Sequence, residues 1–548
     1  MGRAKTDTFI VELPLVVTEE DEFALLGRFR AGQMIYNAVL GEALRRLGLM
    51  RQSRAWQVAR KLNDAGEKTE TYRNLRQKFG FSLTELSSFG TTCKNEANFD
   101  NRLGAHETQK ISERAFAAVE GYMFKTKGRP RFKSLSRPLR SLEGKTNSPV
   151  AIKKNGKPAS SGKCGIRWRP GIGSVEWAGL FLPAMTAPND VWQTDALQRK
   201  TKYCRICWRT CNGKRRWYVQ LAQEGISPSK QKNETQTGEV CLDVGPTDVA
   251  VVTLAGLITL FTLCPTILQP WSEIRILQRA IDRSRRATNP DCYDNKGRWI
   301  KGKKQTVFSK NYKKLVIELA EAERKLASER KRSHGEQINA ILSYGTTIKL
   351  ETLSYTSFQK NYGRSTKVRA AGMFIESLCR KAESAGGKRV DLNTRKLRLS
   401  QYDHITGEYK KKPRSQRWHI LGDGRKMVQR DIYSAFLGLC VDCPEIAGKT
   451  NTKREREEKQ TQEKALQRHQ PSHIAEMWAV AEPLLERVGW CREVQLASGG
   501  TYVHPTVTPM RTRLPVRAGS TLKKVCPTSI IQRIGNGPDA VAAFCPAG

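Results

Sequence analysis

Three carboxylates in this sequence stand where a carboxylate is costly. Asp243 lies at the end of the apolar run EVCLDV, Glu351 ends IKLE, and Asp431 opens the helix-like run QRDIYSAFL. An acid embedded in an apolar strand loses hydration and is tolerated where a cation or hydrogen bonds compensate. Each has an ordinary reading too. Asp243 could brace the turn that follows, Glu351 could pair with Lys349, and Asp431 could cap its helix, whose N-terminus favours an anion. Together they read differently. Two strand-end acids and one at a helix start, 108 and 80 residues apart, can converge at one edge of a sheet. Oxygen ligands without histidine or cysteine suit magnesium, with manganese as a substitute. Two such ions sharing one aspartate would activate a water and stabilise a leaving oxygen, which is phosphodiester hydrolysis.

These acids sit in a chain of the opposite sign. Lys and Arg number 95 against 53 Asp and Glu, a formal net charge of +42. That excess goes far beyond what solubility requires and points to a polyanionic partner, nucleic acid first. A membrane is not expected. No amphipathic helix sets a Lys/Arg face against a Trp/Phe face, and the apolar stretch at residues 249–264 is too short to span and is interrupted by Gly256. The start MGRAKTDTF lacks an apolar signal region, so cytoplasmic residence is expected and the 14 cysteines read as reduced thiols. Cys204, Cys207 and Cys211 lie on strands around the turn Asn212-Gly213. Cys440 and Cys443 close a helix-like run with no second pair at ribbon spacing, so no metal is assigned to cysteine.

The elements that must position the acids follow from periodicity. Residues 8–17 read as a strand, and Thr18 can cap a helix with Glu19, Glu20 and Asp21 in its first turn. A basic amphipathic helical pattern runs to about residue 120. Residues 125–169 hold fourteen Lys/Arg and one acid, Glu143. Short strands continue to about 224, and the polar run 227–239 reads as a linker to a new domain near Glu239. There the order is strand, strand pair, long helix, strand, helix, strand, basic insert, helix, an α/β layer. Leu315, Leu319, Ala322 and Leu326 mark one apolar face of the long helix. A charged run, one amphipathic helix and a Gly/Pro/Thr-rich tail end the chain, the tail being expected to be poorly ordered.

The ordered set resembles the transposon-encoded TnpB proteins and the compact type V CRISPR effector nucleases. Asp243 in CLDVGPTDVAVVTLAG is similar to their first RuvC motif, Glu351 in IKLETLSY to the second, and Asp431 in VQRDIYSAFL to the third. GRPRFKSLSR, residues 128–137, is similar to the Gly-x-Pro-x-Phe-Lys segment of their wedge domain, so the resemblance covers roughly residues 5–445. It implies a multidomain α+β chain with a wedge β-barrel at 1–18 and 120–236, interrupted by a helical recognition domain at 19–119. An RNase H-like (RuvC) α/β nuclease domain would follow at 237–397 and 428–445, and a partly disordered extension at 446–548. The implied partners are a guide RNA and double-stranded target DNA, in a prokaryotic, nucleoid-associated setting. DNA would be cut by two magnesium ions on Asp243, Glu351 and Asp431 after guide pairing and recognition of a short flanking motif.

Lys127, Arg129, Arg131 and Lys133 are candidate nucleic-acid contacts in the wedge segment. One departure stands out. Where the family carries a four-cysteine zinc ribbon, residues 398–427 form a basic insert without cysteine. His404 and His419 alone make a poor zinc site, so a metal-free hairpin and no zinc are expected. Its Lys411, Lys412, Arg414 and Arg417 would grip a strand electrostatically, with Trp418 available for base stacking. Two other functions stay open, an RNA-guided DNA binder that cuts poorly and a guide-independent RNase H-fold nuclease or strand transferase. The long basic N-terminal half argues against the second. Oligomeric state is open.

Overall fold

The structure, a computed structural model, describes residues 7–145, 165–228, 233–253, 257–353, 359–413, 415–444 and 453–494. The middle of the basic segment, Arg414 and the Gly/Pro/Thr-rich tail therefore lie outside the described residues. The chain divides into two compact units, 1–228 and 229–548. The division falls within the polar run read as a linker. No described helix is long and apolar enough to cross a membrane.

In the first unit, strand β1 (Thr8–Pro14) leads into helix α1 (Glu19–Gln52). A capping box starts that helix: Thr18 N donates to Asp21 Oδ2 at 3.0 Å and Thr18 Oγ1 accepts from Asp21 N at 3.1 Å. α1 buries Leu25, Phe29, Ile35, Val39, Leu40 and Leu47 along one stripe. The helices α2 (Arg54–Lys61), α3 (Ala65–Lys78), α4 (Leu83–Glu96) and α5 (Ala105–Met123) follow, α4 and α5 packing on α1. Strands β2 (Ser141–Lys145), β3 (Ile166–Arg169), β4 (Ser174–Trp177) and β5 (Leu180–Pro183), helix α6 (Val191–Gln198), and strands β6 (Thr201–Cys211) and β7 (Lys214–Glu224) complete the unit. Asn212 and Gly213 both adopt positive φ, 50° and 73°, the tight turn that lets β6 and β7 pair without splaying.

Two sheets result, ordered β1-β7-β6-β2 and β3-β4-β5. A bridge between Leu15 and Ala184 links the first strand to the end of β5, and Gly144 of β2 lies directly against Ile166 of β3. Cys204 and Cys207 are both buried in β6. They lie three residues apart, so the pleat sends their side chains to opposite faces.

The second unit is built on a five-stranded sheet. Its strands are β8 (Glu239–Val244), β9 (Asp248–Thr253), β10 (Ile258–Thr262), β11 (Thr347–Glu351) and β12 (Arg389–Leu392), in spatial order β10-β9-β8-β11-β12. The first three form an antiparallel meander, while β11 runs parallel to both β8 and β12. Between β10 and β11 come α7 (Leu268–Thr288) and α8 (Lys310–Leu342); between β11 and β12 come α9 (Gly363–Arg369) and α10 (Ala371–Ser384). After β12, the short α11 (Thr394–Leu397), the hairpin β13 (Trp418–Ile420) and β14 (Lys426–Gln429), and α12 (Arg430–Leu439) follow. The described chain ends with α13 (Lys453–Leu466), α14 (Pro471–Arg487) and β15 (Cys491–Glu493).

Alternation along the central strands feeds two cores. Val240, Leu242, Ile348 and Leu350 pack with α8 and α10, while Cys241, Ala250, Val252 and Leu392 pack with α12 and α14. The long helix α8 reaches the sheet only through its last turns, at Ile338, Ile341 and Leu342. Its earlier stripe, Leu319, Ala322 and Leu326, packs instead with Trp271 and Ile274 of α7.

Beyond the expected boundary at residue 445, Ile474, Trp478, Ala481, Leu485, Trp490 and Cys491 pack into this core. Trp478 of α14 stands edge-on to Tyr433 and Phe436 of α12, with ring centroids at 5.7 and 5.3 Å. Such pairs contribute about 0.5–1.5 kcal/mol each beyond the area they bury. β15 pairs with β14, extending the hairpin to three strands.

Candidate active site

The pleat of β8 puts Glu239, Cys241 and Asp243 on the face under α12. Glycine at 438 lets that helix sit close: a Cβ there would fall 2.6 Å from Cys241 Sγ. On β11 the same face carries Lys349 and Glu351. β8 and β11 are parallel with Leu350 opposite Leu242, so the next residues along, Glu351 and Asp243, stand side by side at the strands' C-terminal ends. Lys349 fixes the direction of the helix above them. Its ammonium donates to Leu439 O and pairs with Glu239, both at 2.8 Å. The C-terminal end of α12 is thus tied to the strand beginnings, and its N-terminus returns to the strand ends with Asp431.

The structure brings the three predicted acids together, and none takes its ordinary role. Lys349 pairs with Glu239, not Glu351. The turn after Asp243 is closed by Gly245 N donating to Asp248 O at 2.9 Å, without the Asp243 carboxylate. The cap of α12 is Gln429, whose Oε1 accepts from Ile432 N at 2.7 Å. A Cβ at Gly245 would approach Asp248 O to 3.0 Å, so this glycine admits backbone.

Among the described residues, Asp243 and Glu351 accept no hydrogen bond and form no ion pair. Burial, then the charges of Asp431 and Glu351, hold the Asp243 carboxyl well above the ordinary carboxylate range; Arg430 and Arg417 oppose this. Burial pushes Glu351 up to about 7. Asp431 is compensated differently, by Gln429 Nε2 at 3.2 Å, Arg417 at 3.4 Å and Arg430 at 3.5 Å. The acids do not close on one point. Only Glu482, Glu486 and Cys491 bring three ligand atoms within 4.8 Å of one another among the described residues. Lys426 already holds those two glutamates, at 3.1 and 2.6 Å. The charges of both Asp431 and Glu351 bear on Asp243.

The insert forms a hairpin, but its chemistry differs from the expectation at two positions. Trp418 is buried, 4 % exposed, with the Arg492 guanidinium 5.3 Å over its ring. It is therefore unavailable for stacking a base, because β15 closes over it. Arg417 stays exposed while reaching Asp431 at 3.4 Å, so it borders the acid site as well as the basic surface. Lys411 is exposed, and Lys412 is half-buried with no hydrogen-bond partner for its Nζ among the described residues. Arg414 lies outside the described residues. In the first unit Lys127, Arg129 and Arg131 are exposed. Lys133 is held by its backbone to Asn37 at 2.8 and 2.9 Å, with its ammonium 5.5 Å over Tyr36.

Sequence reasoning missed the buried polar network beneath the insert. His419 Nε2 lies 2.7 Å from Asp403 Oδ2, and its ring stacks on Tyr433 at 4.8 Å. Tyr433 Oη accepts from His404 N at 3.0 Å and lies 2.6 Å from His404 Nδ1. Burial lowers both histidines. Although burial raises the Asp403 carboxyl, hydrogen bonds, that from His419 first, hold it below its ordinary value. A neutral His419 donating to ionised Asp403 satisfies both trends. The aspartate-histidine pairing at i and i+16 has no local sequence signal.

No protein-family model matches the sequence, and no curated protein matches it. Among solved structures, the chain is similar to a cryo-EM structure of a Cas12f1–sgRNA–target DNA complex. The TM-score is 0.40 at 12% identity, covering 79% of this chain and 98% of that one. It is also similar to a cryo-EM structure of a CRISPR-Cas12f ternary complex, with a TM-score of 0.23, 11% identity, and coverage of 71% and 74%.

Proposed function

We propose that this protein is an RNA-guided DNA endonuclease whose Asp243, Glu351 and Asp431 hold two magnesium ions. One observation carries the reading: Asp243 and Glu351 are neighbouring, half-buried and unpaired, with Asp431 beside them. Ionised carboxylates crowded in this way are unfavourable unless a cation compensates. The donor set fits, since three carboxylates match two hard cations sharing one ligand. Bound there, the ions would supply water activation and charge neutralisation for phosphodiester hydrolysis. The chain's own groups set the geometry. Arg417, Arg430 and Gln429 fix the Asp431 carboxylate, and Lys349 pins α12 to the sheet that carries the other two.

The guided part of the reading rests on the +42 charge and on the resemblance to TnpB and compact type V effectors. Residues 1–18 and 120–236 are assigned as the wedge, and α1 to α5 as the recognition domain between them. This is supported by β1 pairing with β7 across that helical insertion. The partners are then a guide RNA and double-stranded DNA. Native purification followed by sequencing of bound RNA tests this. A discrete structured RNA is expected, and the complex should cut matched DNA in magnesium but not in chelator. Finding no discrete RNA sinks the guided reading; RNA-directed binding without magnesium-dependent cleavage leaves the binding module.

Zinc is not part of the proposal. His404 and His419 are engaged with Tyr433 and Asp403, and the insert has no thiolate. Elemental analysis of the purified chain should find zinc well below one per molecule. A stoichiometric zinc would mean that cysteines outside the insert hold it.

A further inference from the structure

The helical part of the first unit contains a cavity of about 1120 Å³ between α2, α3 and the ends of α1 and α5. Its wall combines two kinds of group. Trp56 and Tyr72 form an edge-on pair at 4.7 Å, and Tyr122 carries the Arg51 guanidinium 4.8 Å over its ring. Arg60 and Arg73 are exposed at its rim and form no ion pair among the described residues. The single acid on the wall is Glu85. A core built for packing alone would not gather unpaired guanidinium groups around half-buried rings, because like charges repel.

We infer that this cavity is a binding site for a short run of single-stranded nucleic acid, its bases against Trp56, Tyr72 and Tyr122 and its phosphates on Arg60 and Arg73. Aromatic faces accept any base, and guanidinium groups track the backbone, so the site is tolerant of sequence. At about 1120 Å³ the cavity lies just above the roughly 300–1,000 Å³ of small-molecule pockets, which suits more than one nucleotide. Arg51 braces the Tyr122 ring and adds positive charge beside it. The inference rests on the nucleic-acid-binding part of the proposed function and is independent of cleavage.

The test compares a labelled single-stranded oligouridylate with the same strand carrying abasic positions, in ribose and deoxyribose versions. Both are bound to the full chain freed of co-purified RNA. The wild type should prefer the base-bearing strand by about tenfold, the effect of one stacked base. Trp56→Ala and Tyr122→Leu should each erase most of that preference while leaving affinity for the abasic strand unchanged. The double change Arg60→Ala and Arg73→Ala should weaken both strands alike and flatten the salt dependence. If Trp56→Ala melts early, Tyr122→Leu decides alone, since leucine keeps the apolar packing. Equal binding of the two strands by the wild type, or an undiminished preference in a normally melting variant, overturns the site. Failure to bind either strand would overturn the proposed function with it. The two sugars report whether the occupant is RNA or DNA.

Discussion

Replacing Asp243 with alanine or asparagine should lower cleavage of guide-matched DNA by about a thousandfold or more, with folding and guide-dependent DNA binding retained. The size follows from what a divalent cation contributes to a phosphodiester transition state, several kcal/mol, at about 1.4 kcal/mol per factor of ten. Asp243 feels the charges of both Asp431 and Glu351, so under the proposed function its loss would disturb both ion positions. It makes no hydrogen bond or ion pair among the described residues, so its removal costs the fold nothing. Asparagine should if anything raise the melting temperature of the metal-free protein, because it keeps the shape and removes an unfavourable charge. Under the proposed function, DNA binding would rest on many Lys and Arg, each a small share. A bracing role predicts the reverse, an early melt with binding and cleavage lost together. Thermal melts, binding in chelator and cleavage in magnesium on one preparation separate the two. A normally melting Asp243→Ala protein that still cuts would remove this residue from the site.

The candidate site was legible because its physics is local to each segment. A charged residue ending an apolar strand, as in EVCLDV and IKLE, is conspicuous without any knowledge of its neighbours. Thr18 with its acidic first turn and Asn212-Gly213 between two β-rich runs are equally local, and both appear as a capping box and a tight hairpin turn. The misreadings are all tertiary. Trp418 looked like an exposed aromatic in a basic hairpin, but a strand some seventy residues later covers it. The Leu319, Ala322 and Leu326 stripe gave the right apolar face for α8 without saying that another helix, not the sheet, would meet it. The charged run after residue 445 suggested an extension without saying that the amphipathic helix beyond it supplies Trp478 and Leu485 to the core under α12. Periodicity tells which face is buried and is silent on what buries it.

The second large effect concerns pH. With metal removed, the unit carrying the acids should lose stability on going from acid to neutral pH, and Glu351→Gln should abolish much of that loss. Burial raises Glu351 from an ordinary 4.5 to about 7, so between those values the folded chain binds more protons than the unfolded chain. Stability then falls as pH rises through the window, by up to about 3 kcal/mol for this group at 1.36 kcal/mol per unit. Asp243 is raised as well and adds to the same slope. The chain's many other titrating groups are common to wild type and variant, so the difference between their melting curves isolates Glu351. Magnesium should act in the opposite sense. Bound to the ionised carboxylates as proposed, it would compete with protons and stabilise by a logarithm of its concentration over its dissociation constant. The wild type should therefore gain more from magnesium near pH 8 than near pH 5, and the Glu351→Gln variant should gain little at either. Superimposable curves for the two proteins in chelator would show that Glu351 is not held as a strained acid. A magnesium shift that survives the substitution undiminished would place the cation elsewhere. Because both readouts are melts, they test the acid site whether or not the guide and target DNA are in hand.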